Sequence, residues 1–272
     1  MLATEVMSTR FHSSVLVAVM LNAAVGFADA PSGSFEYNFT TNSVPLWDLT
    51  GAYELEQEIS GTAGQTIPLK FIVVVEHSAK GRLVGEGSTT GMVGDSPVTG
   101  DFRVVGRVHS SADGLVRVKM VARFNGHGMV EGVNTSFRVK VRHHFELDGN
   151  NRRLVGNAHG AAKFSDLTNG PIQGESETEL PDGNDGSWML GLEIVPVGNL
   201  GGTAEIGLVT DRSLLFGLKG NHADGSDTSR LKLSGYGTTK GLNLKLRTAG
   251  SAAVIQELKG KALGQKLRYQ AD

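Results

Sequence analysis

The segment SFRVKVRHHFELDGNNRRLVGNAHG, Ser136 to Gly160, gathers three histidines among arginines and a lysine. Such residues can ligate a metal, move protons or hold an anion. In an extended strand successive side chains leave on opposite faces, so His144 shares a face with Arg142 while His143 joins Val139, Val141 and Phe145. Adjacent strand histidines therefore diverge and do not grip one ion. A simple hairpin about Gly149-Asn150-Asn151 would bring His159 near Val141 or His143, giving at most a pair of histidines. Zinc takes three or four protein ligands, and neither an HExxH stretch nor a further His/Asp cluster supplies the rest. No metal site is expected, and His143 reads as a partly buried histidine bonded to a neighbour.

The cations carry more information as a set. Arg103, Arg107, His109, Arg117, Lys119, Arg123, Arg138, Lys140, Arg142 and His144 all fall on the polar phase of alternating segments. If those segments are neighbours in one sheet, they build a continuous cationic face able to hold an acidic polysaccharide, a lipid head group or a nucleic acid backbone. Nucleic acid fits least, because no aromatic side chains are interleaved for base stacking. Two plainer readings compete. The face can be merely solvated, its lysines and arginines guarding against edge pairing. Alternatively, Glu54, Glu56 and Glu58 can lie beside it and neutralise it.

Catalytic chemistry finds no foothold. The Glu54, Glu56, Glu58 ladder puts carboxylates on one face, whereas glycoside hydrolysis needs two opposed across a cleft. No G-x-S-x-G elbow is present. GEGSTTGMVG (Gly85–Gly94) lacks the lysine and helix start of a phosphate loop. Without cysteine there is no thiolate chemistry and no disulfide. No catalytic residue and no cofactor is assigned. Trp47 and Trp188 could stack on sugars, but beside apolar strand positions they read as core.

The elements that position these residues are strands. Phe35, Tyr37, Phe39; Leu49, Tyr53, Leu55, Ile59; Phe102, Val104, Val108; Val116 to Phe124; and Phe137 to Leu147 all alternate with polar partners. Between them stand Ala112-Asp113-Gly114, Asp148-Gly149-Asn150-Asn151, Asp182-Gly183-Asn184-Asp185-Gly186 and Ala223-Asp224-Gly225, sequences that accept hairpin-turn geometry. Gly260 and Gly264 argue against a long helix over Ser251 to Leu267. The fold class is all-β, with antiparallel hairpin-rich sheets forming sandwich or barrel-like units, two of them and related.

Four segments are expected. Residues 1–30, with Arg10, an apolar run from Val15 to Phe27 and Ala28-Asp29-Ala30, have the layout of a secretory signal peptide. Residues 31–165 form a first β unit, 166–185 an acidic connection with at most a short edge strand, and 186–272 a second β unit. The echo between PLWDLTGAYELE and GSWMLGLEIVP suggests that the units are related. The apolar run is shorter than the roughly 20 residues of a membrane-spanning helix, and no second one follows. A lipid-facing barrel would want aromatic girdles, and the chain has four Tyr and two Trp.

WDLTGAYELE, SAKGRLVGEG, GSWMLGLEIVP and the ending LKGKALGQKL resemble segments of a group of uncharacterised, secreted, glycine-rich all-β bacterial proteins. That resemblance implies export and a β fold, and transfers no site residue. The functional expectation is an exported, periplasmic or extracellular, non-enzymatic binding or scaffold protein. Its contact surface would be the face of Arg103, Arg107, Arg117, Lys119, Arg123, Arg138, Lys140, Arg142 and His144, and its partner an anionic glycan or other envelope component. The alternatives are an envelope hydrolase acting on polysaccharide and a β-barrel holding a lipid.

Overall fold

The computed structural model describes residues 30–271 apart from 41–42, 61–65, 112–113, 131, 166–168, 198 and 224–225. The expected signal peptide, except for Ala30, lies outside the described residues, as do Asp166 and parts of two turn sequences.

Among the described residues, sixteen strands follow one another: β1 (Gly33–Phe39), β2 (Gly51–Ser60), β3 (Thr66–His77), β4 (Arg82–Val93), β5 (Ser96–Ser110), β6 (Val116–Val130), β7 (Val133–Asp148), β8 (Arg153–Phe164), β9 (Gly170–Glu179), β10 (Trp188–Val197), β11 (Asn199–Leu208), β12 (Ser213–His222), β13 (Thr228–Gly235), β14 (Asn243–Ala249), β15 (Val254–Ala262) and β16 (Gln265–Gln270). Every pairing is antiparallel. Strands β2 to β9 close into a barrel, and β1 joins β10 to β16 in a second eight-stranded sheet that curls into a half-barrel. The all-β, barrel-like class expected from the alternation is what the chain adopts.

Two elements depart from the expected segmentation. Strand β1 pairs with β10, from Gly33↔Ile194 to Phe39↔Trp188, so the second sheet draws on residues that precede the barrel. Pairing across that separation leaves no local mark. The expected acidic connection contains β9, which pairs along its whole length with β8. Its inward positions include Ser176 and Thr178, so the apolar alternation that betrays other strands is missing there.

Alternation fills the barrel. Phe71 stacks on Phe124 across the lumen with ring centroids 4.1 Å apart, and Phe137 and Phe164 continue the cluster. Val118, Met120, Val139 and Val141 are buried in the same core, packed with their neighbours. Charged side chains point outward, the reverse of a lipid-facing band. The half-barrel encloses its own core, and Phe39 of β1 meets Tyr269 of β16 edge-on at 5.6 Å.

The segment Val44 to Thr50 docks the two sheets. Trp47 is buried, its amide donates to Gln265 Oε1 at 3.0 Å, and its carbonyl accepts from Gln265 Nε2 at 2.6 Å. Trp188 stacks on Phe39 at 4.2 Å and donates to the Val44 carbonyl at 2.5 Å. Both tryptophans are core, as their apolar neighbours suggest. Gly264, at φ +77°, leaves room for the Val108 carbonyl, which a Cβ there would meet at 2.2 Å.

Asp48 is fully buried at this junction. Its carboxylate accepts from Arg212 Nη1 at 2.7 Å and from Thr210 at 2.6 Å, both from the β11–β12 turn, and from the Thr50 amide and hydroxyl at 3.2 and 2.9 Å. Burial pushes the Asp48 carboxyl up, but contacts from His77, Thr210, Arg212 and Thr50 prevail and bring it down to about 2.

Candidate functional site

The expected cationic residues lie on three adjacent strands of the barrel. Strand β6 pairs with β5 on one side and β7 on the other, and the register lines up their polar phases. Arg103 faces Arg123, which faces Lys140. One step along, Arg82 of β4 faces Arg107, which faces Lys119, which faces His144. Arg142 faces His159, and Arg138 faces Lys163 of β8. All of these side chains are exposed on the convex outer wall.

Within the chain this face is balanced only in part: the exposed Glu86 of β4 faces Arg103. Arg117 donates to Glu146 at 2.8 Å on its margin. Among the described residues, Arg103, Arg123 and Lys140 have no ion-pair partner. Neutralisation by Glu54, Glu56 and Glu58 is overturned by the strand order: β2 lies between β3 and β9, on the far side of the ring from β6. Those glutamates instead line the crevices along the closing seam together with Glu175, Glu177 and Glu179 of β9. Lys70 pairs with Glu54 and, at 3.1 Å, with Glu56; its contact holds Glu54 below the usual carboxylate range. The barrel is thus cationic on one wall and acidic on the opposite one.

At the seam, Ile59 pairs with Ile172, Gln57 donates to Ser176 at 2.8 Å, and Thr178 donates to the Glu54 carbonyl at 2.9 Å. An open crevice of about 610 Å³ there is lined by Glu56, Glu58, Glu175 and Glu177. All four carboxylates are exposed, whereas a glycosidase's proton donor needs an apolar enclosure.

The two adjacent histidines separate as alternation requires, His143 inside the barrel and His144 outside. A His143–His159 pair does not form, because His159 stands opposite Arg142 on the outer wall while His143 stands opposite Ala158. Inside, His143 Nδ1 lies 3.2 Å from the Ser176 hydroxyl, and its ring stacks on Phe145 at 5.1 Å. Its Nε2 is buried without a partner. Burial, and to a smaller extent His144, lowers the His143 pKa to about 4. Among the described residues, no three His, Asp or Glu side chains cluster to hold a metal ion.

Sequence reasoning missed a second cationic array. On the half-barrel, Lys219 faces Lys232, Lys232 faces Lys245, Lys245 faces Lys259, and Lys259 faces Arg268, one cation on each strand from β12 to β16. A signal was present in the repeated leucine-cation pairs Leu218-Lys219, Leu231-Lys232, Leu244-Lys245, Leu258-Lys259 and Leu267-Arg268. Short strands with glycine between them hid their common phase.

No protein-family model, curated protein or solved structure matches the chain.

Proposed function

We propose that the chain is an exported, non-enzymatic binding or scaffold protein that contacts an anionic envelope partner through the outer wall of β5, β6 and β7. One observation carries this reading: Arg103, Arg123 and Lys140 stand directly opposite one another on consecutive strands. Like charges facing across strands destabilise a sheet by about 0.2–1 kcal/mol per pair. A face arranged only for solvation gains nothing from that stacking. A polyanion laid across it converts the repulsion into multivalent attraction and releases its own counterions.

The test is heparin retention of the wild type against Arg103→Gln/Arg123→Gln/Lys140→Gln. The wild type is expected to elute at high salt and the variant at clearly lower salt. The variant should also unfold no more easily, and by as much as about 1 kcal/mol less easily, because two like-charge pairs are relieved. Unchanged retention in a folded variant would refute the reading.

A further inference from the structure

We propose that the half-barrel carries a second, independent site, in which the ladder Lys219, Lys232, Lys245, Lys259 and Arg268 holds a linear acidic polysaccharide bearing one carboxylate per sugar unit. The ladder crosses five consecutive hydrogen-bonded strands. Neighbouring strands lie about 4.8 Å apart, so the five cations follow a line roughly 19 Å long with a constant step. That step is close to the length of one pyranose unit in an extended chain. Each rung can therefore stand beside one sugar, and its flexible stem can reach toward that sugar's acidic group.

The surface beneath the ladder is shaped for a chain. An open trough of about 1140 Å³ runs along the first three rungs, lined by Lys219, Lys232 and Lys245 together with Arg230 and Arg247. Gly201 extends the ladder's row onto β11, where the missing side chain leaves the backbone as the trough floor. Arg230 and Arg247 face each other in a neighbouring row and add two more donors on one flank. Glu257 enters the lining at the far end, where it pairs with Lys259. Among the described residues, Lys219, Lys232 and Lys245 have no ion-pair partner, so the like-charge repulsion among these three rungs goes uncompensated, whereas Glu257 offsets Lys259.

The arrangement favours a glycan over other polyanions. A nucleic acid strand wants aromatic platforms between the cations, and the trough lining contains none. A membrane surface wants apolar side chains presented level with the cations, whereas here the cations wall a recess. Lysine presents a compact charge on a flexible stem, suited to one carboxylate per residue, where paired phosphate recognition would favour the arginine fork.

The test measures binding of oligogalacturonates of increasing length to the full chain. Affinity is expected to climb with each added unit and to level off at about five, one per rung. Lys219→Gln/Lys232→Gln/Lys245→Gln should lose roughly tenfold or more in affinity for the longer oligomers, and its length dependence should flatten. Lys232→Gln alone, the central rung, gives the same test should the triple variant fail to fold. The barrel variant Arg103→Gln/Arg123→Gln/Lys140→Gln should keep the length dependence, so failure of the barrel face and failure of the ladder are separable. Length-independent affinity, or undiminished binding by the ladder variants, would overturn the proposal. So would ladder-dependent binding to phosphatidylglycerol vesicles with none to oligogalacturonate, which would assign the face to a membrane.

Discussion

Asp48→Asn is expected to lower the stability of the protein by about 3 kcal/mol, the consequence of breaking an ion pair whose carboxylate is fully buried and whose guanidinium is part-exposed. The amide keeps the shape of the carboxylate but leaves Arg212 Nη1 one neutral carbonyl oxygen in place of the two charged oxygens that it now contacts at 2.7 Å. Its NH₂ group also takes the place of one of the two oxygens to which Thr50 and Thr210 separately donate. For a domain of this size, the melting temperature should fall by roughly 10 °C. Asp48→Asn/Arg212→Met should be less destabilised than the sum of the two single changes, because the uncompensated charge is gone. The pH dependence follows from the same group. Its carboxyl lies at about 2, against an ordinary 3.8, so its contribution is full above pH 4 and disappears as pH falls through 2. Thermal melts of both variants between pH 7 and 2 check this; equal melting temperatures for wild type and Asp48→Asn at neutral pH would contradict it.

The second large effect belongs to His143 and comes at milder acidity. Its pKa lies at about 4 in the fold against an ordinary 6.5. A depressed histidine must be neutral to stay buried. Its contribution is therefore complete above pH 6.5 and is lost as pH falls toward 4. The shift corresponds to about 3 kcal/mol. Protonation would place a charge beside Phe145 and Met120 in the barrel core, where among the described residues its ring meets the Ser176 hydroxyl and its Nε2 has no acceptor. His143→Leu should flatten the decline of melting temperature between pH 6.5 and 4 while leaving the decline due to Asp48 below pH 4. An identical pH profile in that variant would show that another group controls the acid response.

These two residues mark how far the sequence could be read. The strands of the barrel wall announce themselves, because Val116 to Phe124 and Phe137 to Leu147 alternate without interruption and must present one face to a core. The same alternation assigns His143 inward and His144 outward, and puts the nine expected cations on a common phase. Three things stayed hidden for physical reasons. Strand β9 is inward-facing through Ile172, Ser176 and Thr178, a mixture without a hydrophobic period. The partners of β1 lie well over a hundred residues away, and pairing at that range is set by the closed geometry. Asp48 looks like any surface aspartate until the docking of the two sheets buries it against the turn carrying Thr210 and Arg212. The lysine ladder was legible in principle, since its phase is written in five leucine-cation pairs. Register, however, is what turns five separate lysines and arginines into a line.

The outer wall of β5 to β7 is the proposed contact surface, and a lysine acetylation footprint reads it directly. The full chain is labelled with and without heparin, and modification is followed at Lys119 and Lys140 on the cationic wall and at Lys70 on the acidic one. Heparin is expected to slow acetylation strongly at Lys119 and Lys140 and to leave Lys70 unchanged. Equal rates at Lys119 and Lys140 with and without heparin would show that this wall is not a contact surface for polyanions.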